Sequence, residues 1–282
     1  MVSLIGCGKA PTDNTSQQPS NVQTVETNDP ADNTEPADTE VVEDTPVSFG
    51  DIAVGEYVTF GSYEQDNDKS NGSEPIEWIV LDHQDGKTLL YSRYGLDYKP
   101  FNDVKKPEDT TWAECSLRTW MNTEMYDAMF TDKEKESVVL SHITTPDPTP
   151  DVYWAEDPTF EGKYELATGG EDTDDYVFLL SINEFRHYYD AKFANEYPSE
   201  VASTVADRTY FEPVNGQAWI CIPSDYVLAQ SRSTVNDYCV YFLRSPMASL
   251  QSSFAIVGTS IDFASANHVS DHVVRPAIWV ND

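Results

Sequence analysis

The residues best suited to metal binding in this sequence are oxygen ligands near the start of the part of the chain that is rich in apolar residues. Asp66, Asp68, Ser70 and Glu77 stand in "DNDKSNGSEPIE" at spacings that imitate the ligand order of an EF-hand calcium loop. The segment departs from the EF-hand motif at the position of the sharp turn, because Asn71 stands where an EF-hand has its invariant glycine. We therefore expect either an irregular calcium loop with these four ligands or a solvated acidic hairpin turn.

Cysteine and histidine spacing does not indicate a zinc centre. The chain has four cysteines and five histidines, without HExxH or CxxC grouping. In an oxidising compartment two of Cys115, Cys221 and Cys239 pair and one stays free, or all three stay reduced. Nucleophile-elbow, P-loop and dinucleotide-binding motifs are absent as well. We therefore predict a non-enzymatic protein with no catalytic residues and no cofactor other than the calcium considered above.

The net charge excludes some partner classes. A formal charge of −32 at pH 7 repels phosphate backbones and anionic lipids, so we expect no nucleic-acid partner. No run approaches the roughly 18 apolar residues that a membrane helix needs.

The N-terminal segment indicates export. "LIGC" (4–7) matches a bacterial lipobox and predicts lipidation at Cys7, although a chance tetrapeptide would look the same. We interpret residues 1–7 as the remnant of a lipoprotein signal peptide whose true start lies upstream. Residues 8–48 are acidic, rich in Thr, Asn and Pro, and too poor in bulky apolar residues to fold, which predicts a disordered tether. The expected location is extracellular, with the lipid anchor as the sole contact with the bacterial cell membrane.

The remaining residues, 49–282, are predicted to form a single globular domain. Strand-like alternation comes first, with Asp85-Gly86 as a hairpin turn between two apolar runs. Helical spacing then begins at Ser116, the expected N-cap, and places Leu117, Trp120, Met121, Met125 and Met129 on one face.

Later segments complete an α+β pattern. Capping boxes mark helix starts at Thr131 and Ser181, and "YVFLL" (176–180) predicts a buried strand. Short strands and turns dominate after Trp219. The order predicts mostly antiparallel short strands with two to four helices and long irregular loops.

Four segments carry a resemblance to a known family: "VGEYVTFGSYEQDNDKSNGSEPIEWIVLD", "TWAECSLRTWMN", "CVYFLRSP" and "VVRPAIWV". They resemble an uncharacterised domain family, with LRSP and VRPALW motifs, on surface lipoproteins of Gram-positive gut bacteria. That family is similar to C-type-lectin-like folds, including the formylglycine-generating-enzyme branch. The resemblance implies that the N- and C-terminal strands pair and that irregular loops display a ligand site. Because Cys115 and Cys239 both lie in these motifs, we expect them to be neighbours.

The motifs also imply a set of framework residues. Arg244 and Arg275 each precede a proline in a strand-like run, and we expect their guanidinium groups to hold loop carbonyls or a carboxylate. Each proline then ends a strand. The alternative for Arg244 is contact with an anionic ligand. The structural residues predicted in this way are Arg118, Trp120, Arg244, Pro246, Arg275, Pro276 and Trp279.

The C-terminal loops are the predicted ligand site, because they are small, polar and weakly patterned and depart from the family motifs. Their composition also fits a hypervariable display surface, and the alternative is a tolerant surface loop. Trp112 and Trp154 stand in other loops, either as a sugar-stacking platform or as anchors of those loops. The predicted ligand-binding residues are Val240, Tyr241, Phe242, Met247, Ser249, Gln251, Asn267, His268, Asp271 and His272.

These observations favour a lectin-like module that binds an extracellular protein or carbohydrate. The first alternative is an enzyme of the formylglycine-generating type or a hydrolase without a recognisable motif. Cys221 and Cys239 are eighteen positions apart, which lacks the short spacing of the copper-binding cysteines of that enzyme type. The second alternative is a structural spacer of the cell envelope.

Overall fold

The chain folds into two main β-sheets and several short helices, which makes it an α+β protein. The computed structural model describes residues 48–104, 110–147, 168–189, 221–230, 239–246, 252–257, 260–265 and 271–282. The strands are β1 (Tyr57–Tyr63), β2 (Glu74–Gln84), β3 (Lys87–Ser92), β4 (Tyr94–Gly95), β5 (Asp97–Pro100), β6 (Ser141–Ile143), β7 (Thr173–Asp175), β8 (Ile222–Pro223), β9 (Val240–Pro246), β10 (Ser252–Val257), β11 (Ser260–Ser265), β12 (Asp271–Val274) and β13 (Ala277–Asn281). The α-helices are α1 (Ser116–Trp120), α2 (Tyr126–Met129), α3 (Asp132–Lys135), α4 (Ile182–Tyr189) and α5 (Asp225–Gln230).

The first sheet is antiparallel, in the order β1-β2-β3-β13. Its central hairpin turns at Asp85 and Gly86, whose φ angles of 53° and 72° suit a two-residue turn, as the sequence predicts. Trp78 on β2 is fully buried and its indole N–H donates to the carbonyl of Phe60 at 2.7 Å. The terminal strands do not pair with each other as the lectin resemblance implies, because β2 and β3 lie between β1 and β13.

The second sheet has the order β11-β10-β9-β12-β5. Most of its pairs are antiparallel, whereas β12 runs parallel to β9 through the pair Val273 and Tyr241. Two smaller pairs accompany the main sheets: β4 with β8 in parallel and β6 with β7 antiparallel.

The Arg275-Pro276 dipeptide is the point where the chain passes from one sheet to the other. β12 ends at Val274 in the second sheet and β13 begins at Ala277 in the first. Pro276 has no N–H to donate, but its carbonyl accepts a 3.0 Å hydrogen bond from the N–H of Ser92. In the other motif Pro246 is the last residue of β9.

The helical segment that follows β5 is one rod with an irregular middle. A π-helical turn, Met121–Met125, joins α1 to α2. Leu117, Met121, Met125 and Met129 are buried as the periodicity predicts. The predicted N-cap is wrong by one residue: Cys115 is the N-cap, and its sulfur accepts from the N–H of Arg118 at 3.3 Å.

Two further helix starts follow the sequence closely. Thr131 and Glu134 form the predicted capping box of α3. At α4 the hydroxyl of Ser181 accepts from the N–H of Glu184, and the Glu184 carboxylate accepts in return from the N–H of Ser181 at 2.6 Å. The predicted capping boxes are therefore confirmed.

The segment 176–180 is buried as predicted but is not a regular strand. Phe178 alone bridges to Ala277, through backbone hydrogen bonds of 3.0 and 2.8 Å. Val177, Leu179 and Leu180 instead fill the core. Of the described helices, none has the length and apolar character to cross a membrane.

Candidate functional site

A cavity of about 490 Å³ opens where β5 meets α1. Its wall combines one indole ring with hydroxyl, carboxylate and ammonium groups. The residues that line it are Lys99, Pro100, Asp103, Glu114, Ser116, Leu117, Thr119, Trp120, Thr123 and Glu124.

The motif "CSLRTWMN" (115–122) positions the helical wall of this cavity. Cys115 caps α1, while Leu117 and Met121 are buried on the inner face of the helix. Trp120 is only partly buried and lines the cavity. Trp120 packs against the core, and its side of the helix also faces the cavity, so the predicted structural residue is part of the cavity wall as well.

Two other residues of the motif attach the helix to the segment 174–177. Arg118 Nε donates to Asp175 Oδ1 at 2.6 Å, and the carboxylate of Asp175 is fully buried. The amide oxygen of Asn122 accepts from the N–H groups of Tyr176 (2.7 Å) and Val177 (3.1 Å). Its amide nitrogen donates to the Val177 carbonyl at 2.9 Å. The wall that carries Trp120 is thus fixed at several points.

Asp175 also anchors the loop tryptophan Trp112. The indole N–H of Trp112 donates to Asp175 Oδ2 at 2.9 Å, and the ring is 1% exposed. Trp112 therefore anchors its loop and cannot serve as a surface platform. Trp154 lies outside the described residues.

Lys99 connects the cavity to the C-terminal strands. Its ammonium nitrogen lies 4.7 Å from the centre of the Trp120 ring, a cation–π arrangement. On the other side Lys99 pairs in register with His272, and Pro100 pairs with Asp271. Among the described residues of the lining, Lys99 is the one cation, beside the carboxylates of Asp103, Glu114 and Glu124. These described residues together carry a net negative charge, which disfavours anionic ligands.

The predicted ligand-binding residues fall into three groups. Tyr241 and Phe242 are 0% and 1% exposed, so they line the core and cannot touch a surface ligand; this corrects the prediction for both residues. Val240 is partly exposed, and so is His272, whose ring lies 4.5 Å from that of Phe242. The remaining positions, together with the side chain of Asp271, lie outside the described part of the chain: Met247, Ser249, Gln251, Asn267 and His268.

Arg244 is 2% exposed, and its guanidinium group is surrounded by acceptors. It donates to the carbonyls of Leu179 (2.6 Å) and Thr144 (2.8 Å), and to the Glu184 carboxylate at 2.5 Å. Burial alone would raise the pKa of the Glu184 carboxyl, but the Arg244 charge and the bonds from Ser181 hold this pKa below its ordinary value.

Arg275 is equally buried and occupies an aromatic setting. Its Nε donates to the Ser92 carbonyl at 2.8 Å, and its guanidinium carbon lies 4.2 Å from the centre of the Tyr91 ring. A second ring, that of Tyr241, lies 5.3 Å away. Of the other predicted framework residues, Trp279 on β13 is partly exposed, and its carbonyl accepts from the N–H of Val139 at 2.8 Å.

The predicted calcium ligands do not converge on one point. Asp66 and Asp68 accept hydrogen bonds within their own loop, from the N–H groups of Asp68 (2.7 Å) and Ser70 (3.1 Å). Glu77 lies on β2, where it forms an ion pair with Arg93 at 3.0 Å. The four-ligand calcium loop is therefore replaced by a turn whose carboxylates bind its own backbone.

A different acidic group includes Asp66. Glu64, Asp66 and Glu74 each offer a carboxylate oxygen, and these oxygens lie within 4.8 Å of one another. Among the described residues, Oε1 of Glu64 is buried and has no hydrogen-bond partner. Carboxylate oxygens are the donors that calcium prefers, so this group has the chemistry to hold that ion.

Comparison with known proteins places the chain in a family. Residues 85–282 match the family described as a domain of unknown function (DUF6273). The chain belongs to this family. The predicted membership of an uncharacterised domain family is thereby confirmed. No curated protein and no solved structure has significant similarity to the chain.

The DUF6273 match includes the whole cavity wall, yet sequence reasoning missed most of its residues. Lys99, Glu114 and Thr119 carry no signal of their own, since charged and hydroxyl residues are common on any exposed surface. The residue that could have predicted the cavity from the sequence is Trp120, an aromatic residue next to Thr119 and one helical turn from Thr123 and Glu124. An aromatic with polar neighbours at helical spacing points to a face that is not purely core.

Proposed function

We propose that residues 49–282 form a lectin-like, non-enzymatic module that binds a carbohydrate or protein ligand at the Trp120 cavity. The observation that carries this proposal is the open cavity of about 490 Å³, in which one indole stands among hydroxyl and carboxylate groups. Ligand sites of this kind combine an apolar surface with a few polar groups that fix orientation.

A neutral carbohydrate suits this chemistry best. Sugar rings present C–H faces that pack on an indole, and hydroxyl groups that donate to carboxylates such as Glu114 and Glu124. Among the described lining residues the carboxylates outnumber Lys99, which disfavours phosphorylated or acidic ligands. A basic peptide segment is the protein ligand that matches the same charge.

The C-terminal residues extend the proposed site. Asp271 and His272 pair with Pro100 and Lys99, so β12 adjoins the cavity wall. A ligand larger than the cavity would continue toward these residues. The α+β architecture with antiparallel sheets supports a lectin-like fold at the level of class.

The proposal includes the location of the protein at the cell surface. The lipobox at Cys7 would anchor the chain to the outer face of the cell membrane, and residues 8–48 would hold the module away from it. A receptor at the cell surface needs such a distance between its binding module and the membrane. An envelope spacer would have the same layout, but it would not need an open aromatic cavity.

A glycoside hydrolase is the second candidate, because three carboxylates line the same cavity. Hydrolysis requires one carboxyl group as general acid and a second as base or nucleophile. Glu114 and Glu124 are the residues to test, since both are exposed and line the cavity.

The test is a glycan and peptide array probed with the full chain, followed by titration of each hit. We expect Trp120→Ala to weaken binding at least about tenfold, or about 1.4 kcal/mol, and Trp120→Phe to lose less. Glu136→Gln, an exposed residue directly after α3, is the control. Ligands bound equally by Trp120→Ala, or no ligand at all, would contradict the proposal. Mass spectrometry of each incubated glycan identifies cleavage, which would favour the hydrolase.

A further inference from the structure

Cys221 and Cys239 meet in the core although eighteen positions separate them in sequence. The N–H of Cys239 donates to the carbonyl of Cys221 at 2.9 Å, and the Cys221 thiol donates to the Ile222 carbonyl at 3.8 Å. Standard bond lengths limit the distance between the two Cα atoms to roughly 6.8 Å across such a hydrogen bond, and disulfides span roughly 4.4–6.8 Å. The backbone contact therefore keeps the pair within reach of a disulfide.

Gly95 provides the room for both sulfurs. A Cβ atom at this position would lie 3.1 Å from the sulfur of Cys239 and 3.3 Å from that of Cys221, and would collide with Val273. Gly95 belongs to β4, which pairs with β8 directly after Cys221. Strand pairing and the missing side chain thus place the two sulfurs side by side.

The third cysteine of the folded part is engaged elsewhere. Cys115 caps α1 and its thiol donates to the Trp112 carbonyl at 3.3 Å. The sulfur of Cys115 is thus bonded within its own segment, whereas Cys239 has Cys221 as a backbone neighbour; the proximity of Cys115 to Cys239 stays a prediction. All three thiols are buried, with exposures of 1% for Cys115, 1% for Cys221 and 3% for Cys239.

We propose that Cys221 and Cys239 form an intramolecular disulfide when the chain folds under oxidising conditions. The bond would attach the segment that carries β8 and α5 to β9, the central strand of the second sheet. Because the folded structure buries both sulfurs, the oxidation must precede or accompany folding.

The reaction needs an external disulfide, such as oxidised glutathione, as the oxidant. The thiolate of one of the two cysteines attacks one sulfur of the oxidant and releases a first thiolate, which leaves a mixed disulfide on that cysteine. The sulfur of the other cysteine then attacks the mixed disulfide, forms the intramolecular bond and releases the second thiolate. The two electrons and two protons of the cysteine thiols end on two molecules of reduced thiol.

The test uses the full chain with Cys7→Ser, unfolded under reducing conditions and refolded in a glutathione redox buffer. The product is alkylated in denaturant without reductant and digested for mass spectrometry. We expect a cross-linked peptide that joins Cys221 to Cys239, and alkylation confined to Cys115. Alkylation of both Cys221 and Cys239, or a disulfide that includes Cys115, would overturn the proposal.

A second measurement does not depend on variants of the pair, which could fail to fold. The variant Cys7→Ser/Cys115→Ser keeps only Cys221 and Cys239. Its oxidised form should melt about 5 °C or more above its reduced form, because the bond restricts the unfolded chain. Equal melting temperatures, with both thiols alkylated in the refolded sample, would again overturn the proposal.

Discussion

Arg244 on β9 and Glu184 on α4 form an ion pair of 2.5 Å that also completes the N-terminus of the helix. The carboxylate of Glu184 accepts from the backbone and hydroxyl of Ser181 at 2.6 and 2.9 Å, while Arg244 reaches on to two loop carbonyls. A single buried guanidinium group thereby attaches a helix and a loop to the second sheet.

Arg244→Met should lower the free energy of unfolding by about 3–5 kcal/mol. The substitution keeps the apolar stem but leaves Glu184 and the carbonyls of Leu179 and Thr144 without their donor. Urea unfolding measures the loss. Lys135→Met, which removes the pair of Lys135 with the exposed Asp127, is the control and should cost about 1 kcal/mol or less. Equal losses in the two variants would show that burial of the pair is unimportant.

Ionisation of Glu184 should make stability pH-dependent. Its pKa in the folded chain lies below the ordinary value of 4.5, because the influence of Arg244 and Ser181 exceeds the effect of burial. A carboxyl group of this kind stabilises the fold above its unfolded pKa, and the contribution disappears as the pH falls through the folded pKa.

Glu184→Gln removes this ionisation and leaves the shape of the side chain. We expect its melting temperature to lie below that of the parent chain at neutral pH, and the gap to narrow below about pH 4.5. Thermal melts from about pH 7 to pH 3 measure the gap, with Glu136→Gln as the exposed control. A gap that stays constant with pH would mean that the charge of Glu184 is not its source.

Asn122→Ala should destabilise the chain by about 1–3 kcal/mol. The N–H groups of Tyr176 and Val177 would lose their acceptor, and buried groups without partners are costly. Thr123→Ala is the matched control at the next position. Its exposed hydroxyl donates at 2.8 Å to the Thr119 carbonyl within the same helix, so the expected cost is about 0.5 kcal/mol or less. Similar urea midpoints for the two variants would contradict the anchoring role of Asn122.

Local features were predictable from the sequence, and features that depend on strand order were not. The turn at Asp85-Gly86 and the capping boxes at Thr131 and Ser181 follow from residues within a few positions of each other. The contact of Cys221 with Cys239 requires β4, β8 and β9 to meet, which periodicity along the chain does not specify.

The candidate site, too, has features that the sequence could predict and features that depend on how distant segments pack. Trp120 was visible in its motif, but its exposure depends on the cavity that β5 forms with α1. The burial of Tyr241 and Phe242 depends on β9 lying inside the second sheet, between β10 and β12. Apolar residues on both faces of a strand are buried only when other elements cover both faces of the sheet. The sequence of the strand alone does not show whether both faces are covered.

Calcium should stabilise the chain through the group of Glu64, Asp66 and Glu74. Three carboxylates whose oxygens lie within 4.8 Å repel one another, and a bound divalent cation would relieve this repulsion. We expect calcium to raise the melting temperature of the chelator-treated protein. Asp66→Asn removes one charge, so it should raise the melting temperature in chelator and reduce the further increase with calcium. Glu136→Gln should keep the full calcium response. A calcium response that is the same in Asp66→Asn and the parent chain would place the ion elsewhere.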